Sequence, residues 1–239
     1  MKSLLLILLI VSSYANEIKN VVGVSERYDG GTEENCKGFY WEVSKEVFAL
    51  SDINLICKLA PYQRAVKLVE TNNADFWVGS YIDEENFAYY PKINMDADIV
   101  SVLFDSTKNK FNNINDLKNK KVGWINGYDY DDYIDVSMDK KELRNKIAAI
   151  KMVKYGRLDY LMEDSLELEL SLKKMKFDKS NLVVKKIMEL KTYLAFNKTK
   201  RGKELAKIWD TNIKKLHESG KLKKMYDKSD YANIYPFKN

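Results

Sequence analysis

Two tripeptides carry polar side chains placed to hold a ligand, Gly79-Ser80-Tyr81 and Glu163-Asp164-Ser165. Each ends a short apolar run that reads as a strand, and ligands in open α/β sheets bind beyond the carboxyl ends of strands. Ser80 and Tyr81 bring hydroxyls that both donate and accept, and Asp164 brings a carboxylate. A third cluster, Gly127-Tyr128-Asp129-Tyr130-Asp131-Asp132-Tyr133, follows the apolar run Lys121 to Ile125. Its tyrosines can form an aromatic wall, which together with Asp164 favours a cation such as a polyamine or quaternary amine. Tyr128, directly after the turn glycine, is the contact singled out there. Asp131 and Asp132 read as acids at a helix start, complementing its dipole. Arg64, near another helix start, has a planar fork suited to a carboxylate where backbone N–H groups already favour an anion. A surface ion pair is its alternative role. Tyr28, in the polar loop after the first strand, and Tyr62, beside Arg64, complete the candidate set.

Other chemistry finds little support. Glu163 has the functional group of a general acid, but nothing in its neighbourhood marks it as catalytic. The single histidine, His217, lies on a charged helix, and two cysteines make no metal constellation. The acidic run around Asp131 lacks the central glycine and terminal glutamate of a calcium loop. No metal, no cofactor and no catalysis are expected.

The elements that position these residues include a repeat. Ala65-Val66-Lys67-Leu68-Val69 followed by Asp75-Phe76 recurs as Ala149-Ile150-Lys151-Met152-Val153 followed by Asp159-Tyr160. Each copy reads as an amphipathic helix, a turn and a buried strand, which is half of a parallel βαβ unit. Two copies imply two similar lobes with a cleft between them. Strands are expected at Val21–Val24, Ile53–Leu59, Asp75–Gly79, Ile99–Phe104, Lys121–Ile125 and Leu182–Ile187. Helices are expected over Phe39–Leu50, from Pro61 and over Leu166–Met175. Tyr193–Phe196 returns the chain to the first lobe. In the last helix Leu205, Ile208, Trp209, Ile213 and Leu216 form one apolar stripe, with Gly220 at the C-terminal cap. Trp209 is read as core.

The amino terminus reads as a secretory signal. Lys2 precedes the apolar run Leu4–Val11, and Ser13-Tyr14-Ala15 offers small residues for cleavage after Ala15. The mature chain is then exported, to the periplasm. The formal net charge is +5, spread over the 239 residues, and its excess lies on helices near the C-terminus. That distribution fits solvated helix faces and gives no nucleic-acid patch. In an oxidising compartment, Cys36 and Cys57 are expected to pair as a disulfide within one lobe, two buried thiols being the alternative.

The order of elements and several short motifs together resemble the family 3 extracellular solute-binding proteins. The motifs are Pro61-Tyr62-Gln63-Arg64-Ala65, Ala74-Asp75 leading to Gly79-Ser80-Tyr81, and Gly156-Arg157-Leu158-Asp159-Tyr160. Lys198-Thr199-Lys200-Arg201-Gly202-Lys203-Glu204-Leu205 and His217-Glu218-Ser219-Gly220-Lys221-Leu222 close the series. The resemblance implies an α/β two-lobed periplasmic binding fold (type II), with two mixed sheets flanked by helices and a two-strand hinge. Residues 16–104 with 192–239 would form one lobe and 105–191 the other. It also implies a monomer that closes over a small polar solute, an amino acid or amine, for an ABC-type permease. A ligand-sensing module for a membrane receptor is the second function it allows, and a dehydratase-like enzyme a third.

The family's amino-acid clamp maps unevenly onto this chain. Its aspartate for the ligand ammonium falls on Asp164, five residues after Asp159; a carboxylate there would bind by a charge-assisted hydrogen bond. The competing role for Asp164 is to cap the helix that follows. The clamp's arginine, seven residues after Gly79, falls on Asn86 beside Asp83-Glu84-Glu85. That acidic neighbourhood repels a carboxylate, and Arg64 is the candidate substitute.

Overall fold

A computed structural model describes residues 18–237. The expected signal segment and its cleavage after Ala15 lie outside the described residues. The chain runs β1 (Asn20–Ser25), α1 (Phe39–Ala49), β2 (Asn54–Leu59), α2 (Tyr62–Glu70), β3 (Phe76–Tyr81), β4 (Ala88–Tyr89) and β5 (Asp96–Asp105). It continues through β6 (Lys121–Ile125), β7 (Asp139–Leu143), α3 (Lys146–Lys154), β8 (Tyr160–Asp164), α4 (Ser165–Lys174), β9 (Leu182–Asn197), α5 (Lys200–Glu218) and α6 (Lys221–Asp227).

Two halves of matching topology make up the sheet. Its strand order is β2-β1-β3-β9-β5-β8-β6-β7. In the first half β1 pairs in parallel with β2 and β3, and β9 closes the row antiparallel to β3. In the second half β6 pairs in parallel with β7 and β8, and β5 runs antiparallel to β8. The long strands β5 and β9 then pair with each other from Asp96↔Thr192 to Asp105↔Leu182. The two mixed sheets read from the sequence are thus hydrogen-bonded into one. Only β5 and β9 carry the chain between the halves in this pairing, an arrangement suited to a hinge.

The repeated segment has one job in both copies. The Asp75 N–H donates to the Val22 carbonyl at 2.8 Å, and Asp75 Oδ2 accepts the Val22 N–H at 2.8 Å. Asp159 does the same for Lys121, with 2.9 Å in each direction. Each aspartate satisfies both backbone groups of the residue just ahead of the ladder with the parallel strand beside it, a place where they would otherwise lack a partner on that side.

Apolar side chains cover both faces of each half. Trp41, Phe48, Phe76, Phe196 and Trp209 pack where α1 and α5 meet the first half, while Ala65, Val66, Val69 and Trp77 seal the α2 face. In the second half Phe104, Trp124, Tyr160 and Met162 form one cluster, and Ile150, Val153, Leu161 and Leu168 another. Trp209 is fully buried and donates from Nε1 to the Ile93 carbonyl at 3.2 Å, a core role as expected. Gly220 lies between α5 and α6 at φ +72, the left-handed conformation that ends a helix. Cys36 and Cys57 are bonded, with Cα atoms 5.4 Å apart, tying the loop before α1 to β2.

Three elements differ from expectation. Leu182–Ile187 and Tyr193–Phe196 are parts of one 16-residue strand, β9; its middle is exposed and lysine-rich, so the apolar signal breaks although the pairing with β5 continues. Asp131 and Asp132 sit in a single 3-10 turn, Tyr130–Tyr133, and start no α-helix. Strand β7, Asp-Lys-Lys-Glu-Leu, has no buried residue and no alternation, and it lies at the sheet edge, where charged residues guard against further pairing.

Candidate functional site: an acidic, tyrosine-lined cavity

Strand ends from both halves converge on a cavity of about 40 Å³, counted as the space open to the centre of a water. That volume admits a few waters or a small chemical group. Five carboxylates line it, Asp96, Asp98, Glu163, Asp164 and Glu167, with seven tyrosines, Tyr28, Tyr40, Tyr62, Tyr81, Tyr128, Tyr193 and Tyr231. Among the described residues the lining contains no lysine, arginine or histidine.

Local structure explains how so many acids meet. Asp96 and Asp98 alternate along β5 and therefore share a face. Asp164 ends β8 opposite Val100, the next residue of that face. Tyr40 donates its hydroxyl to Asp96, and Tyr81 donates to Asp98 Oδ2 at 2.6 Å. Gly79 makes room on the facing strand. It lies at a register shift between β3 and β9 with φ +91, and a Cβ there would come 3.1 Å from the Tyr28 hydroxyl. Only glycine adopts that backbone without strain.

Asp164 caps a helix and also lines the cavity. Its Oδ1 accepts from the N–H groups of Leu166 and Glu167 at 2.9 and 3.1 Å, capping α4. Its Oδ2 accepts from the Ile99 N–H at 3.0 Å while the side chain still faces the cavity. Glu163 is 1% exposed. Its Oε1 accepts from the Asp164 N–H at 3.0 Å, and its Oε2 has no hydrogen-bond partner. Lys146 lies 3.6 Å from that oxygen and is in direct ion-pair contact with Glu167.

Burial shapes the protonation of these groups. It pushes the Asp96 and Glu163 carboxyls up to about 7, with nearby acids adding to the shift. Asp98 rises well above the usual carboxylate range from burial and from the charges of Asp164 and Asp96. Burial also raises Asp164 and Glu167. The cavity therefore holds protons near neutrality that an entering cation would displace.

The halves touch around this cavity. The rings of Tyr62 and Tyr128 meet edge-to-face at 5.6 Å. Gln63 packs over Gly127, where any Cβ would overlap it. At another point Lys174 and Asp29 form an ion pair at 2.7 Å. Beside the cavity and sharing Tyr128 lies an acidic recess with Asp83, Glu84, Glu85, Asp129 and Asp132. Glu84 accepts hydroxyls from Tyr62 and Ser80 there, and burial raises its carboxyl to about 7.

Of the residues singled out from sequence, Tyr28, Tyr62, Tyr81, Tyr128 and Asp164 line the cavity. Ser80 and Arg64 do not. Ser80 is buried, but it turns its hydroxyl to Glu84 Oε2 at 2.7 Å. Arg64 sits on the exposed side of α2, whose buried side is formed by Tyr62, Ala65, Val66 and Val69. Asn86 is also exposed, and its carbonyl accepts from Lys198 at 2.6 Å. No arginine therefore replaces the clamp's missing one at the cavity wall. The sequence reading missed Tyr40, Asp96, Asp98, Glu167, Tyr193 and Tyr231. The Asp-x-Asp spacing at the head of an apolar strand was the available signal for two of them.

No family model and no curated protein matches the sequence. Solved structures match along nearly the whole chain. A histidine kinase sensor domain with similarity to periplasmic binding proteins superposes with TM-score 0.76 at 13% identity, covering 92% of this chain and 99% of its own. The fold is that of the periplasmic binding proteins. An ancestral arginine-binding protein bound to arginine shares this binding-protein fold at TM-score 0.73 and 17% identity, over 90% and 99% of the two chains. The substrate-binding protein of an amino acid ABC transporter does so at 0.71 and 15%, over 88% and 99%. In this chain the acid and tyrosine cavity occupies the junction of the binding-protein fold's two halves.

Proposed function

We propose that this chain is an exported solute-binding protein that closes its two halves over a small organic cation and presents it to an ABC-type permease. The observation that carries the reading is the cavity wall, with five carboxylates, seven tyrosines and no basic side chain among the described residues. Ammonium and guanidinium groups gain charge-assisted hydrogen bonds from buried carboxylates and attraction from tyrosine faces. A ligand carboxylate would meet only like charge, so a plain α-amino acid fits poorly. Residues 16–104 with 192–239 and residues 105–191 are the two bodies that move, about a hinge in β5 and β9. The protein works as a monomer, by binding and closure without chemistry.

Thermal melts against a panel of amines, quaternary ammonium compounds, guanidines and amino acids test this reading. A ligand at about 100 times its Kd adds about 2.7 kcal/mol. Stabilisation by cations without a carboxylate is expected. A flat panel, or stabilisation by neutral amino acids alone, would sink it.

A second reading, a ligand-sensing module for a membrane receptor, is favoured by the similarity to a kinase sensor domain. The two readings share the cavity and differ in the partner. Co-purification with a permease supports import, and with a receptor kinase, sensing.

A further inference from the structure

Lys146 stands directly behind the acidic wall. It is the first residue of α3, with a side chain only 17% exposed, and its ammonium contacts Glu167 and lies 3.6 Å from Glu163 Oε2. Burial alone would lower its pKa. Glu163 and Glu167, and then Glu26 from the other half, outweigh that and hold it charged. Glu26 itself has a buried oxygen, Oε2, without a hydrogen-bond partner. Glu163 and Glu167 thus already share a cation, whose charge also reaches Glu26. The other group, Asp96, Asp98 and Asp164, receives only hydroxyl and N–H donors and forms no ion pair among the described residues, the Lys146 charge reaching Asp164 without contact.

We propose that Lys146 is a resident cation that sets ligand charge: from behind the wall it neutralises the Glu163–Glu167 side of the cavity, so the ligand brings one positive group, seated at Asp96, Asp98 and Asp164. This rests on the cavity being a cation site. A ligand with a second ammonium would have to place it against Lys146 or leave it unpaired in a buried setting, and both are unfavourable. Lys146 acts through the two glutamates, as a positioning residue for specificity.

The test compares ligands matched in length, 1-aminobutane with 1,4-diaminobutane and 1-aminopentane with 1,5-diaminopentane. Titration calorimetry at pH 8 keeps carboxyls with a pKa near 7 ionised. Wild type is expected to prefer the monoamine in both pairs. Lys146→Met should move the monoamine-to-diamine affinity ratio toward the diamine by about tenfold or more, or 1.4 kcal/mol. Lys146→Arg, which keeps the charge, should restore the wild-type ratio. A purely structural lysine would weaken both ligands together and leave the ratio unmoved, which overturns the proposal. So does a wild type that prefers the diamines, a result that stands even where Lys146→Met fails to fold. If no amine binds wild type, the cation site itself falls, and this inference with it.

Discussion

Tyr81 and Asp98 join β3 to β5 at the cavity, the Tyr81 hydroxyl donating to Asp98 Oδ2 at 2.6 Å. Tyr81 ends β3 and Asp98 lies on β5, strands that both flank β9. The hydrogen bond favours the charged carboxylate, whereas burial and the charges of Asp164 and Asp96 oppose it more strongly. Asp98 is therefore held in position yet kept short of positive charge, the condition in which a carboxylate gains most from an arriving ammonium.

Tyr81→Phe removes that donor and leaves a buried carboxyl without it. Losing one partner of a buried hydrogen bond costs about 1–3 kcal/mol. A loss in that range is expected by urea unfolding with an unchanged slope. Cation affinity should also fall, because Asp98 then holds its proton more tightly. Unchanged stability together with unchanged affinity would show that the bond matters to neither.

The raised carboxyls make stability and binding respond to pH in opposite directions. Asp96, Glu163 and Glu84 have folded-state values near 7 against ordinary values of 3.8 to 4.5. A raised carboxyl stabilises the fold fully below its unfolded pKa, and that contribution is lost as pH rises through the folded value. The ligand-free protein should melt at a lower temperature at pH 8 than at pH 5. Asp105, Asp116 and Asp178 are shifted the other way, but they are already ionised across this window. Cation affinity should rise from pH 5 to 8 and then level off, with protons released on binding. Calorimetry in two buffers of different ionisation enthalpy counts those protons. A pH-independent affinity would refute the coupling.

Half of this site was legible from sequence, for reasons that differ by residue. Tyr81, Tyr128 and Asp164 end strands or follow a turn glycine, so strand-end logic finds them without any knowledge of tertiary structure. Tyr231 comes from the C-terminal segment and packs on Phe39 and Tyr40, a meeting that only the folded chain creates. Arg64 misled because a helix start near a cleft has two sides, and the apolar spacing of Tyr62, Ala65, Val66 and Val69 turns Arg64 to solvent. The fold was easier to read. The Ala65 and Ala149 repeats carry their own periodicity and their own strand-start aspartates, Asp75 and Asp159. Strand β7 escaped because an exposed, lysine-rich edge strand has no apolar signature.

Asp164 separates capping from binding when two substitutions are compared. Asn caps helices about as well as Asp, so Asp164→Asn should leave the melting temperature nearly unchanged while cation affinity drops through loss of the charge. Asp164→Ala removes both functions and should cost about 1 kcal/mol of stability as well. Equal cation affinity for wild type and Asp164→Asn would assign Asp164 to α4 capping alone and leave Asp96 and Asp98 as the ammonium site.

The disulfide should matter to stability and little to recognition. Cys36 and Cys57 are separated by 21 residues, lie within the first half, and neither lines the cavity. Opening a loop of that length releases unfolded-state entropy worth about 3 kcal/mol. The double variant Cys36→Ser, Cys57→Ser should lose roughly that amount in urea unfolding. The bond links the loop before α1 to β2, so it braces one half without spanning the cleft. Closure about β5 and β9 is then untouched, and cation affinity at 25 °C should stay within about twofold, well under the 1.4 kcal/mol of a tenfold change. A large loss of affinity in a variant that still unfolds cooperatively would mean that the Arg27–Asn35 loop, which carries Tyr28 into the cavity, depends on the bond for its placement.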